Sequence, residues 1–249
     1  MRSYVIAALT LGLAASAASA QSGAYWDYYG KTGPLAWGKL DPAYRACSKG
    51  HEQSPIDIRG ARLNKSLQPL EFHYIAGSVT IENDGRMIIV HASPGSFIVA
   101  NGVRYELKRL EFHHPSEEAV RGKLTDLGVE LIHESSDGKI AIVNVRLAMD
   151  RGNPNAVLAM LWPHLPKKPG TTEKIAEMVN AGGFLPADRG YWTYMGSLPT
   201  PPCTEGVRWF VIKSPATIGL NQIVAFGRLY PMNARPVQPL NKRKVLASE

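Results

Sequence analysis

Side chains that can ligate a metal or carry a proton gather in two short runs of the chain. The first run, Leu110-Glu111-Phe112-His113-His114-Pro115-Ser116-Glu117-Glu118, reads as a strand entering a turn. Side chains alternate between faces along a strand, so Glu111 and His113 share one face and Phe112 takes the other. The second run, Val129-Glu130-Leu131-Ile132-His133, puts Glu130 and Ile132 on one face and Leu131 and His133 on the other. Antiparallel pairing of the two runs brings Glu111, His113 and Glu130 to one spot. Two carboxylates and an imidazole together are either a metal site or a set of charges that needs other partners.

The rest of the chain must hold those two strands side by side. Alternating runs recur at 71–74, 79–82, 87–90 and 96–99, with turns such as Asn83-Asp84-Gly85 between them. Short strands at regular spacing predict a β-rich domain. The nearly all-apolar run at 140–145 fits a central strand, and Val207-Arg208-Trp209-Phe210-Val211-Ile212 a further one. The clearest helix expectation covers 172–180, capped by Thr171 or Thr172 and stopped at Gly182-Gly183. Near the start, Trp26, Tyr28, Tyr29 and Trp37 sit among Gly and Pro, an irregular segment pinned by its rings. The 249 residues carry no repeat or linker, and a β-rich fold of this length forms one domain.

Residues 1–20 read as a secretory signal: Arg2, an apolar stretch at 6–13, then Ala18-Ser19-Ala20 as the cleavage motif. The stretch is too short to span a bilayer comfortably. The mature domain, 21–249, is therefore expected in the periplasm or secreted, with no integral membrane segment. The formal charge is +7, with basic pairs and triplets at Lys167-Lys168 and Lys242-Arg243-Lys244. No basic stripe interleaved with aromatics is present, so nucleic acid is not an expected partner. A protein or small-anion partner fits better. The two cysteines, Cys47 and Cys203, suggest a disulfide in an exported chain, with two buried free thiols as the alternative.

Several strings together resemble the α-class carbonic anhydrases over nearly the whole mature chain. They are Gln53-Ser54-Pro55-Ile56-Asp57-Ile58, Pro115-Ser116-Glu117, Tyr191-Trp192-Thr193-Tyr194, Thr200-Pro201-Pro202-Cys203-Thr204-Glu205-Gly206-Val207 and Asn233-Ala234-Arg235-Pro236. The resemblance implies a mainly β, single-domain fold: a large, mostly antiparallel twisted sheet with short peripheral helices and a conical pocket floored by zinc. It also implies the Cys47–Cys203 disulfide of bacterial members. That family holds zinc with three neutral histidines, which leave the metal positive and acidify its bound water. Carried onto this chain, the three ligand positions are Glu111, His113 and Glu130. The hydroxyl that orients the family's zinc-bound hydroxide is lost at Pro199, although Thr200 follows and its glutamate partner remains as Glu117. The usual proton-shuttle histidine aligns with Arg86, which stays protonated. The usual glutamine two residues before the first ligand is Arg109.

These changes resemble the catalytically inactive relatives of the family. The favoured expectation is a pocket of ion pairs among Arg109, Glu111, Glu130 and Arg86, with no metal cofactor and no catalytic residue, reused for binding or assembly. The alternative is a carbonic anhydrase-type metalloenzyme, a CO2-hydrating lyase or an esterase. It would hold zinc or another divalent ion weakly through Glu111, His113 and Glu130. His51, His73 and His91 lack a second ligand at metal spacing. His133 is expected to pack or hydrogen-bond on the far face, and Glu117 to serve as a structural acceptor.

Overall fold

The computed structural model describes residues 23–249, so the signal segment expected at 1–20 lies outside the described residues. Fifteen strands run in chain order among them. They are β1 (Asp57–Ile58), β2 (Arg62–Leu63), β3 (Glu71–His73), β4 (Val79–Asn83) and β5 (Ile88–Ala92). Next come β6 (Phe97–Ala100), β7 (Val103–His113), β8 (Ala119–Val120), β9 (Leu127–Ser135) and β10 (Ile140–Met149). The last are β11 (Thr171–Lys174), β12 (Tyr191–Ser197), β13 (Glu205–Ile212), β14 (Ala216–Ile218) and β15 (Leu246–Ala247). Four short helices accompany them: α1 (Trp37–Leu40), α2 (Ala46–Lys49), α3 (Ala156–Leu161) and α4 (Leu220–Gly227).

One large sheet dominates, with the order β11-β4-β5-β7-β9-β10-β13-β12-β15-β2. Most neighbours are antiparallel; β10 pairs parallel with β13 and β14, and β15 with β2. The long strands β7, β9 and β10 form its centre. Their alternate residues feed two cores. Leu110, Phe112, Val129, Leu131, Val143 and Phe210 are buried on one face, under α3 and α4. Ile132, Ile142, Val207, Trp209 and Val211 are buried on the other. α3 starts at Asn155, whose side chain accepts from the Val157 and Leu158 amides and satisfies two donors that the first turn leaves open.

The N-terminal aromatics pack as expected: Trp26, Tyr28 and Trp37 meet edge to face at centroid distances of 5.1–5.7 Å. The Cys47–Cys203 disulfide is formed and lies in the same cluster. It ties α2 to the proline-rich loop before β13. Among the described residues, no helix is long and apolar enough to cross a membrane.

The helix expected at 172–180 is not there. Thr171–Lys174 is instead an edge strand paired antiparallel with β4, and Gly182-Gly183 fall within a short 3-10 turn, Ala181–Phe184. Ile175 and Val179 are buried four residues apart, a spacing that mimics a helix. Main-chain bonds to Val79 and Gly77 hold both in extended chain instead. Tertiary pairing along an open sheet edge outweighs the weak helix propensity of two adjacent threonines.

Candidate functional site

β7 and β9 run antiparallel with Glu111 directly opposite Glu130. The row extends to Ile89 on β5, Asn144 on β10 and Val211 on β13. His113 lies two residues along from Glu111, opposite Gly128. Gly128 eases the approach there: a Cβ would come within 3.1 Å of Ser116 Cα. The missing side chain lets the Ser116-Glu117 turn lie against β9 and brings the Glu117 carboxylate to His113, with His113 Nδ1 3.6 Å from Glu117 Oε1. A glycine inside a strand commonly marks such a close approach of backbone.

All the acids here are buried: Glu111, Glu117, Glu118 and Glu130, together with His113. Their partners differ. Arg109 Nε donates to Glu111 Oε1 at 2.6 Å. The Arg235 amide donates to Glu117 Oε1 at 2.7 Å. Glu118 accepts from Tyr194 Oη at 2.5 Å and from the Ile56 amide at 3.0 Å. Glu130 has only a long bond from Asn144 Nδ2, at 3.5 Å. Burial therefore pushes the Glu130 carboxyl well up, helped by the nearby Glu117, Glu111 and Glu118. Burial also raises Glu117, and it raises Glu118 to about 8 against the pull of its two hydrogen bonds. Burial thus favours the neutral form of the Glu130 carboxyl.

Asn233 sets the histidine. Its carbonyl oxygen accepts from His113 Nδ1 at 2.9 Å, while its side chain bridges Phe112 O and the His114 amide. A carbonyl cannot donate, so Nδ1 carries a proton, and in the neutral ring Nε2 presents the lone pair. Nε2 lies 4.0 Å from Glu130 Oε2. Neither atom has a hydrogen-bond partner among the described residues, nor do Glu117 Oε2 and the Tyr28 hydroxyl. The Tyr28 phenol is pushed up first by burial, then by Glu117, Glu111 and Glu130.

The strand alternation brings Glu111, His113 and Glu130 together, and they offer ligand atoms within 4.8 Å of one another. This donor set, with an imidazole held by a backbone carbonyl and orphaned Nε2 and Oε2 atoms, fits a divalent cation. Arg109 joins the cluster through Glu111. Arg86 does not: it pairs with Asp84 and stacks over Trp26, its guanidinium 4.3 Å from the ring centroid. The ion pair expected between Arg86 and the glutamates is replaced by one with an aspartate two residues away. Pro199 is buried in the loop before the disulfide, and Thr200 offers its carbonyl to the Cys203 amide. His133 points to the far face, where Tyr74 Oη lies 2.9 Å from its Nε2. His114 bonds the Pro231 carbonyl.

Sequence reasoning missed Asn144, Asn233, Glu118 and Tyr28. A signal existed for Asn144, the one polar residue in the apolar run at 140–145, since a fully buried amide needs a partner.

Comparison with known proteins places this geometry. The model of the eukaryotic-type carbonic anhydrase family matches residues 32–249. A carbonic anhydrase of Nostoc sp. is 38% identical over 226 residues, 89% of this chain and 85% of that one. The chain belongs to the α-carbonic anhydrase family. Among solved α-carbonic anhydrases, that of Thermovibrio ammonificans in complex with sulfanilamide has a TM-score of 0.87 at 37% identity, covering 90% of this chain and 99% of that one. A dioscorin complexed with ascorbate has a TM-score of 0.84 at 32% identity, covering 90% and 97%. The fold is thus that of the α-carbonic anhydrases.

Proposed function

We propose that this chain is an exported α-carbonic anhydrase-fold protein that has given up zinc-dependent CO2 hydration and uses its pocket and surface for binding or assembly. The observation that carries the reading is the pair Glu111–Glu130, facing each other at two of the three ligand positions. Two carboxylates cancel the charge of a divalent ion. A water bound to it would ionise less readily than on three neutral imidazoles. Other losses agree. Glu117 Oε2 is left without a partner, as expected when Pro199 replaces a hydroxyl. Arg86 cannot relay protons and is turned toward Asp84.

The pocket can neutralise itself without metal. Arg109 answers Glu111, and a protonated Glu130 can donate to His113 Nε2 after a small side-chain movement across the 4.0 Å gap. The Cys47–Cys203 disulfide supports export to an oxidising compartment. The dioscorin complexed with ascorbate supports small-molecule binding by this fold.

The test is elemental analysis of protein purified without chelator, with stopped-flow CO2 hydration on the same sample. The expected result is no stoichiometric metal and hydration at the uncatalysed rate. Metal-dependent hydration sinks the proposal. A second reading, a weakly held zinc or other divalent ion on Glu111, His113 and Glu130, is favoured by the orphaned Nε2 and Oε2 atoms. Such an ion would supply a polarising positive charge. Stoichiometric metal in the purified protein would establish it.

A further inference from the structure

We propose that Arg109 is the side chain that keeps divalent metal out of this pocket, and that a single substitution there uncovers a two-carboxylate, one-imidazole metal site. The inference rests on the metal-free reading above and goes beyond it by assigning the exclusion to one side chain.

Three of the conditions for a metal site are already met. Ligand atoms of Glu111, His113 and Glu130 lie within 4.8 Å of one another. The Asn233 carbonyl holds the His113 ring through Nδ1 and leaves Nε2 unpartnered beside Glu130, so that nitrogen is already oriented to ligate. Glu130 Oε2 is likewise unpartnered, and any proton on that carboxyl leaves when metal binds. The exception is Glu111, whose Oε1 is held by Arg109 Nε at 2.6 Å. A divalent ion has to displace that guanidinium or sit beside its positive charge. Either choice weakens binding. Arg86 contributes nothing to the exclusion, because its charge is paired with Asp84. Arg235 faces Glu117, the Ser54 carbonyl and the Cys47 carbonyl, not the three ligand side chains. The Arg109 side chain is about one-third exposed, at 35%, while that of Glu111 is 6% exposed. Shortening Arg109 therefore admits water at the mouth of the cluster without opening the core, and the fold is expected to survive.

The donor set, hard carboxylate oxygens with one imidazole, selects the class of ion. Zn2+, Co2+ and Mn2+ suit it; a soft ion such as Cu(I) does not.

The experiment is calorimetric titration of full-length native protein, Arg109→Gln and Arg109→Lys with zinc chloride. It is paired with the visible absorption spectrum of each protein loaded with cobalt chloride. Arg109→Gln is expected to bind one equivalent of zinc about 10- to 100-fold more tightly than the native chain, the worth of one charge-assisted pair. It is also expected to give a cobalt spectrum that the native protein lacks. Arg109→Lys keeps the charge and is expected to behave as native. Adding His113→Ala to Arg109→Gln is expected to remove the new binding, which places it at this cluster. Failure of Arg109→Gln to bind, in a variant that melts like the native protein, overturns the assignment to Arg109 and leaves the metal-free reading standing. Tight zinc binding by the native chain overturns the metal-free reading and this inference with it. Binding that survives His113→Ala puts the ion elsewhere and also overturns the inference.

Discussion

The two faces of the β7–β9 pair are built from alternate residues of the same strands, yet they obey different rules. On one face Leu110, Phe112, Val129 and Leu131 are fully packed among apolar neighbours, with Phe112 touching the rings of Trp162, Phe184 and Phe226. On the other, Glu111, His113 and Glu130 are as deeply buried but carry orphaned polar atoms. The apolar face is determined by volume, since close packing leaves little room for change. The polar face is determined by charge balance, and several balances fit one backbone. A protein can therefore keep the family's scaffold while its inherited chemistry is rewritten.

The largest expected effect breaks the apolar face. Phe112→Ala is expected to cost about 3–5 kcal/mol in urea unfolding, because three aromatic neighbours cannot collapse into the void. On the polar face, the neighbouring change Glu130→Gln is expected to have the opposite sign. The amide keeps the shape, can donate to His113 Nε2 and needs no proton uptake on folding. A gain in stability at pH 7 is expected, and a loss there would show that Glu130 is ionised and paired in the native protein.

The faces should also respond to pH in opposite directions. His133, on the far side of β9, is pushed down to about 3 by burial. Between that value and 6.5 the unfolded chain takes up a proton that the folded chain refuses, so its contribution is lost as pH falls below about 6.5. Glu118, on the pocket side, is raised to about 8. Between 4.5 and 8 the folded chain keeps a proton that the unfolded chain releases, so its contribution is lost as pH rises. Each group has a limiting slope of about 1.4 kcal/mol per pH unit. In Glu118→Gln, unfolding free energies measured at pH 5, 6, 7 and 8 should fall less steeply as pH rises above 6.5, where Glu117 and Glu130 still contribute, and more steeply as pH drops below it, where Glu118 no longer offsets His133. An unchanged alkaline limb would remove Glu118 from the account. The smallest effect is expected at Arg86. Arg86→Ala loses one stack on Trp26 and one pair with Asp84, within about 1 kcal/mol, and leaves zinc affinity unchanged. A rise in zinc affinity would return Arg86 to the pocket.

Much of this was readable along the chain. The period of two along a strand is a property of the backbone, so it put Glu111 and His113 on one face and Phe112 on the other before any fold was known. The strings from Gln53 to Ile58 and from Thr200 to Val207 carried the family and, with it, the sheet. The two cysteines left a single possible intramolecular pair. Partnership was decided only in three dimensions. Arg86 had two candidate carboxylate sources and took Asp84, because a turn placed it there and Trp26 offered its ring. Among the described residues Glu130 received no lysine or arginine, only Asn144 from the next strand. Residues 171–174 joined a sheet edge that their own sequence gives no hint of. Local geometry repeats from residue to residue, so sequence determines which side chains share a face. A buried charge takes whichever partner the fold brings within about 3 Å, and that depends on chain segments far apart in sequence.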